Sequence, residues 1–286
     1  MKLKQLQIQG IKKLQEAEIN EPRRKVNLLL AYLQNTEVSD LIKLEDKEVS
    51  EEVKKEFEKN LKKLTLGYPI QYITHKQEFM KLPFYVDESV LIPQPDTEIL
   101  VEETLKEIEK YENVKILDLC TGSGCIGISI AQYAKNVEKV TLADISKDAL
   151  VVARKNACLN NVENKVEFVE SDMFTNIFGL FDGIVSNPPY IKRDVISNLD
   201  LEVQREPHLA LDGGLDGLDF YKKILENADK YLNPKGFLFL EIGYDQKDDV
   251  KKIWEDLWKS GRTKLNHFEE RKDLAGLDRV IMLRSE

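Results

Sequence analysis

The sequence predicts an α/β protein: a doubly wound, mostly parallel sheet of seven strands, preceded by a small helical bundle and a β-hairpin linker. Three observations predict it. Apolar residues recur at helical spacing through the first 66 positions. From Val114 onward, short β-branched runs alternate with helical stretches, an order that gives parallel strands covered by helices on both faces. Between these regions the period changes, and Pro93 and Pro95 stiffen the chain. The expected boundaries are 1–67 for the bundle, 68–95 for the linker and 96–286 for the sheet domain.

In the bundle, Val26, Leu29, Leu30 and Leu33 form one stripe, and Val53, Phe57, Leu61 and Leu64 another, with Gly67 placed to end its helix. In the linker, Phe84–Val86 and Val90–Ile92 are β-like runs bounded by turn residues. Asp96 or Thr97 then caps a helix carrying Val101, Leu105 and Ile108. The expected sheet strands are 114–119, 139–143, 165–170, 183–186 and 236–241. Two further runs, at 264–268 and 279–283, are separated by a link that suits an antiparallel pair at the sheet edge. Ser146 caps the helix that follows the second strand.

Composition narrows the function. Of 286 residues, 42% are hydrophobic and 33% charged, which fits a soluble globular protein rather than a disordered or membrane-spanning chain. No apolar run is long enough for a membrane span, and Met1–Gln5 does not begin a signal peptide, so a cytoplasmic location is expected. Residues 1–75 hold 14 basic against 12 acidic side chains, so the remainder carries −11 of the net −9. No basic stripe marks a grip on long nucleic acid. Cys120, Cys125 and Cys158 form no metal or disulfide pattern and read as small buried thiols. His75, His208 and His267 have no metal spacing, so no metal is expected.

The first strand runs through Asp118 into Cys120, Thr121, Gly122, Ser123 and Gly124, and a helix follows. Glycines here permit a tight turn and close approach of a ligand, and the helix start offers free N–H groups. Asp144 ends the second strand about 20 residues on, where an acid holds ribose hydroxyls. Asp118 discriminates among nucleoside cofactors: an acid beside the loop repels a pyrophosphate and suits a sulfonium or ammonium group. The pattern Asp118-Leu119-x-x-Gly122-x-Gly124 resembles the first motif of class I S-adenosylmethionine-dependent methyltransferases. In that superfamily the position of Asp172 and Met173 lies beside the adenine.

The fourth strand ends in Asn187-Pro188-Pro189-Tyr190, a tetrapeptide expected by chance in on the order of one in a thousand chains of this length. In a doubly wound sheet the first and fourth strands are neighbours, so this tip and the glycine loop should face one crevice. Asn187 supplies a carbonyl acceptor. Pro188 and Pro189 lack N–H and present carbonyls, and Tyr190 can stack on a planar group. Such a tip suits an –NH₂ group on an amide or base, held in line for transfer by positioning rather than deprotonation. Asp182 and Glu206 read as loop or edge carboxylates before bases.

The whole chain resembles the bacterial protein-(glutamine-N5) methyltransferases of class 1 peptide chain release factors, the HemK/PrmC family. Beyond the two motifs, Gly67–Ile73, Leu91–Pro93, Thr97-Glu98, Glu206-Pro207, Ala210–Gly214, Glu241–Gly243 and Gly276–Arg279 carry the likeness. The resemblance implies a Rossmann-like methyltransferase fold and S-adenosylmethionine as cofactor. It implies the glutamine of a Gly-Gly-Gln loop as substrate, and an N-terminal domain that docks the release factor, with no direct nucleic-acid or membrane partner. Asp118, Cys120–Gly124, Asp144, Asp172, Met173 and Asn187 would bind the cofactor. Asn187, Pro188, Pro189 and Tyr190 would hold the glutamine amide, with Asn187, Pro188 and Tyr190 catalytic. The family's Pro-Arg-Pro-Glu-Thr-Glu is here Pro93-Gln94-Pro95-Asp96-Thr97-Glu98, which loses a cation and shortens an acid. The alternatives are a glutamine-N5 methyltransferase of a ribosomal protein and an adenine-N6 methyltransferase of nucleic acid. From other classes come a nicotinamide-dependent oxidoreductase and a non-catalytic scaffold.

Overall fold

The computed structural model describes residues 1–285, which form two compact units. The first comprises Met1–Lys76 with Leu199–Arg205. Its helices are α1 (Leu3–Glu16), α2 (Pro22–Leu33), a single turn α3 (Leu41–Leu44), α4 (Glu51–Leu64) and α5 (Ile70–Thr74). Val26, Leu29, Leu30, Phe57, Leu61 and Leu64 meet in its core. Ser50 caps α4 by accepting from the Val53 N–H. Gly67 follows α4 at φ +73°, and Leu201 packs where its Cβ would stand. The buried Lys25 ammonium meets Glu202 at 2.5 Å, pinning the 199–205 excursion to this unit.

The second unit opens with a hairpin of β1 (Gln77–Phe79) and β2 (Leu82–Phe84), then α6 (Glu98–Ile108). The sheet follows as β3 (Val114–Leu119), α7 (Cys125–Tyr133), β4 (Val137–Asp144), α8 (Lys147–Leu159), β5 (Val166–Glu170) and β6 (Phe181–Ser186). After the short α9 (His208–Leu211) come α10 (Asp219–Asn227), β7 (Leu232–Glu241), α11 (Lys247–Lys259), β8 (His267–Lys272) and β9 (Asp278–Arg284). The strand order is β5-β4-β3-β6-β7-β9-β8, parallel except for β9, which runs antiparallel to both neighbours. Apolar clusters bury both faces of the sheet, as expected where helices flank parallel strands. Among the described residues no helix is long and apolar enough to cross a membrane.

The β-like runs at 84–86 and 90–92 are not strands beyond Phe84. Phe84, Val86, Val90 and Ile92 are buried, but Tyr85 and Ile92 bond through their backbone to side chains. The Asn156 carboxamide accepts from the Tyr85 N–H (2.7 Å) and donates to the Tyr85 carbonyl (3.0 Å) and the Ser123 carbonyl (2.9 Å). The Glu206 carboxylate accepts from the Ile92 N–H at 2.8 Å. Asn156 thus ties the hairpin segment to the glycine loop through α8. Replacing it with alanine strands three main-chain groups and should cost about 2–4 kcal/mol in urea denaturation. An unchanged midpoint would show that these bonds contribute nothing.

Among the cysteines, only Cys125 is buried. Cys120 is partly exposed, and Cys158 is exposed on the outer side of α8.

Candidate functional site

In a parallel sheet the loops after the strands gather at one edge, and the crevice opens where the chain winds in opposite directions on either side. Here that point lies between β3 and β6, whose parallel register pairs Leu119 with Ser186. A cavity of about 330 Å³ opens there. The loop after β3 (Cys120–Ser123), Asp144 at the end of β4, Ser171–Met173 after β5, and Asn187 and Pro189 after β6 all line it. The glycine loop and the Asn-Pro-Pro-Tyr tip therefore share one cavity.

The loop is held by carboxylates. Asp144 accepts from the Gly122 N–H and the Ser146 N–H, both at 2.9 Å. Its burial pushes its pKa up while these amides oppose the shift. Gly122 sits at φ +53° with open space where a Cβ would project, so backbone faces whatever occupies the cavity. Cys120 (φ +57°) and Met173 (φ +51°) also take the left-handed conformation, with their sulfurs 3.9 Å apart. A glycine would suit the Cys120 position on these grounds.

Four expected site residues lie off the cavity wall. Asp118 is fully buried behind the loop. Its Oδ2 accepts from the Thr121 hydroxyl (2.6 Å) and the Gly127 N–H (3.0 Å), and its Oδ1 has no partner. Desolvation pushes its pKa up to about 7. Asp118 is therefore turned into the loop, toward Thr121 and Gly127, and away from the cavity wall. Gly124 starts α7 at φ +81°, and its missing Cβ admits Ile128 and Ala153, a packing role. Pro188 is buried beneath the tip. Tyr190 packs against the core, its carbonyl accepts from Gln246 Nε2 (2.9 Å), and burial raises its phenol pKa. It braces the tip from behind rather than offering its ring to the cavity.

The family-like stretches explain how the tip is held. A Cβ on Gly213 would lie 2.7 Å from Tyr190 Cα, so only glycine lets the 208–214 segment lie against the tip. The Ile191 N–H donates to the Leu211 carbonyl at 3.0 Å, and the Gly213 N–H to the Ile191 carbonyl at 2.9 Å. Thr97 does not cap α6. It is buried, and its hydroxyl oxygen accepts from Asn187 Nδ2 at 3.2 Å. Asp96, shorter than the family's acid, still reaches Arg279 at 3.1 Å, and Asp273 holds the same guanidinium at 3.0 Å.

Asp182 and Glu206 both bond backbone N–H groups, those of Lys115 and Ile92. Asp182 accepts from the Lys115 N–H and from Asn233 Nδ2, each at 2.8 Å. His208 is exposed, 3.9 Å from Asp212. Among the described residues no cluster of three or more His, Cys, Asp or Glu could hold a metal ion. The remaining wall carried no site assignment in the sequence. Ser89–Leu91, Pro93 and Gln94 line one side, and Leu209, Ala210, Phe220 and Lys223 another. Leu91–Pro93 stood out as a family-like stretch, but nothing in the local pattern marked Phe220 or Lys223.

Residues 94–204 match the methyltransferase small domain, and residues 5–74 the PrmC N-terminal domain. The chain is 41% identical over 286 residues to the release factor glutamine methyltransferase of Clostridium acetobutylicum, covering 99% of this chain and 98% of that one. It is 41% identical over 264 residues to that of Thermodesulfovibrio yellowstonii, covering 91% and 88%. Among solved structures, a methyltransferase from Pyrococcus furiosus superposes with a TM-score of 0.52 at 19% identity, covering 72% of this chain and 90% of that one, a likeness of fold. With this identity running through both the helical unit and the sheet unit, the chain belongs to the release factor glutamine methyltransferase family.

Proposed function

We propose that the chain transfers a methyl group from S-adenosylmethionine to the side-chain amide nitrogen of the glutamine in the Gly-Gly-Gln loop of a class 1 peptide chain release factor. The observation that carries this reading is the shared cavity: Asn187 and Pro189 stand on the same wall system as Thr121–Ser123, Asp144 and Met173. The residues present fit the cofactor. Asp144 and Asp172 offer carboxylates for hydroxyl or ammonium groups, the Gly122 backbone is open to close approach, and Leu119, Ile145 and Met173 give apolar lining. Cys120, Thr121, Gly122, Ser123, Asp144, Asp172 and Met173 would hold it. When bound, it supplies an activated methyl group and a neutral thioether leaving group.

The chain's own residues supply position. Asn187 gives its –NH₂ to Thr97, which leaves Oδ1 as an acceptor for an incoming amide hydrogen. Pro188 and Pro189 have no N–H to compete for that amide and restrict the backbone. An amide nitrogen gains acidity as it becomes positive, so acceptors around it bind the transition state more tightly than the ground state. No base is required at Asn187, since the proton can pass to water after transfer.

Mass spectrometric mapping of a purified release factor, incubated with the chain and S-adenosylmethionine, tests the reading. The expected result is one added methyl on the Gly-Gly-Gln glutamine. Label in nucleic acid, or on a ribosomal protein but not on this glutamine, overturns it.

A further inference from the structure

We propose that Thr97 and Glu241 fix which end of the Asn187 carboxamide faces the cavity, making them positioning residues for methyl transfer. This rests on the function proposed above.

A carboxamide is nearly symmetric in shape but not in chemistry: turned over, it presents donors where it presented an acceptor. A tip meant to accept from a substrate –NH₂ must therefore be held one way round. Asn187 Nδ2 donates to Thr97 Oγ1 at 3.2 Å. Thr97 has one proton of its own to give. If that proton goes to an acceptor, the oxygen can only accept, and the –NH₂ end of Asn187 must turn toward it.

Glu241 is placed to be that acceptor. Strand register brings it there: Ser186 pairs with Leu240, so Asn187 and Glu241 follow side by side at the ends of β6 and β7. Glu241 is buried at 2% exposure, and its Oε2 has no hydrogen-bond partner. Thr97 and Tyr190 face it as hydroxyl donors. Val280 pairs with Glu241 across β9, which brings Arg279 beside it. A buried carboxylate one hydroxyl from the tip gives the relay a direction: Asn187 –NH₂ to Thr97, Thr97 O–H toward Glu241. It also accounts for a buried threonine at a helix start whose side chain makes no cap bond.

The relay depends on Glu241 being ionised. Protonated, it can donate to Thr97, and the hydroxyl proton is released toward Asn187, which then favours the flipped carboxamide. The groups facing Glu241 are Thr97 and Asp96 ahead of α6, Tyr190 after β6, Arg279 on β9 and Cys125 on α7. Asp273 shares the Arg279 charge, and Tyr221 on α10 donates to the Glu241 carbonyl at 3.0 Å. Desolvation lifts Glu241 to about 7, against Thr97, Arg279 and Tyr190, which favour the anion.

The test uses full-length protein and a release factor substrate, with transfer by the wild type established first. Thr97→Val should lower kcat roughly 100-fold while KM for the release factor stays within about threefold. Thr97→Ser should keep kcat within about threefold. Wild-type kcat should fall as pH drops through about 7, and Glu241→Gln, which cannot titrate, should lose that limb. Independently of activity, the Asn187 side-chain amide resonance, assigned by its absence in Asn187→Asp, should shift in Thr97→Val and not in Thr97→Ser. Unchanged kcat in Thr97→Val, equal damage in Thr97→Ser, an acid limb that persists in Glu241→Gln, or an unmoved resonance overturns the relay. Failure of the wild type to methylate the glutamine overturns the function instead, and the resonance still reads the relay.

Discussion

Asn187→Ala should reduce methyl transfer at least about 1,000-fold while S-adenosylmethionine still binds, with Kd raised no more than about tenfold. The reasoning is positional. Asn187 is the tip residue whose side chain is oriented by a buried partner, and it shares the cavity wall with Pro189. Alanine removes the acceptor, leaves Thr97 without its donor and lets the incoming amide rotate. The cofactor-side wall, from Cys120 to Met173, stays in place. Single-turnover rates beside calorimetric titration of the cofactor separate the two effects. Substantial residual turnover would remove Asn187 from the mechanism, and total loss of cofactor binding would make it a cofactor residue first.

Asp144→Ala should show the reverse. The carboxylate holds the Gly122 and Ser146 N–H groups and stands on the cavity wall. Without it the loop loses its tether and the cavity loses an acceptor. Kd for S-adenosylmethionine should rise about 100-fold, equivalent to about 2.7 kcal/mol. At saturating cofactor, kcat should recover to within about tenfold of wild type. Calorimetry with a kcat measurement at high cofactor checks both. An unchanged Kd would reduce Asp144 to a loop tether.

Asp118 marks what could and could not be read from the sequence. Its position at the end of β3 was legible, because β-branched runs and the glycines behind them declare strand, loop and helix locally. What its oxygens do was not, since that depends on Thr121 and Gly127 folding back over it. The same divide runs through the rest. The antiparallel edge pair β8–β9, the Ser146 cap and the meeting of the two motifs follow from short-range pattern and from the winding rule for such sheets. The 85–92 segment misleads because apolar alternation reports burial, and Asn156 satisfies the backbone that a neighbouring strand would otherwise satisfy. The Leu199–Arg205 excursion rests on Lys25 and Glu202, residues too far apart in sequence for any local pattern to link. Thr97 was visible as a cap candidate, and only β7 and β6 lying side by side reveal that its hydroxyl faces the tip.

Asn156 carries one more implication. The glycine loop and the chain running on from Tyr85 to Leu91 and Pro93 both contribute wall to the crevice. Both are fastened to the same rod, α8, by a single carboxamide. The two stretches are therefore anchored together rather than as separate loops, and losing this one side chain should loosen both.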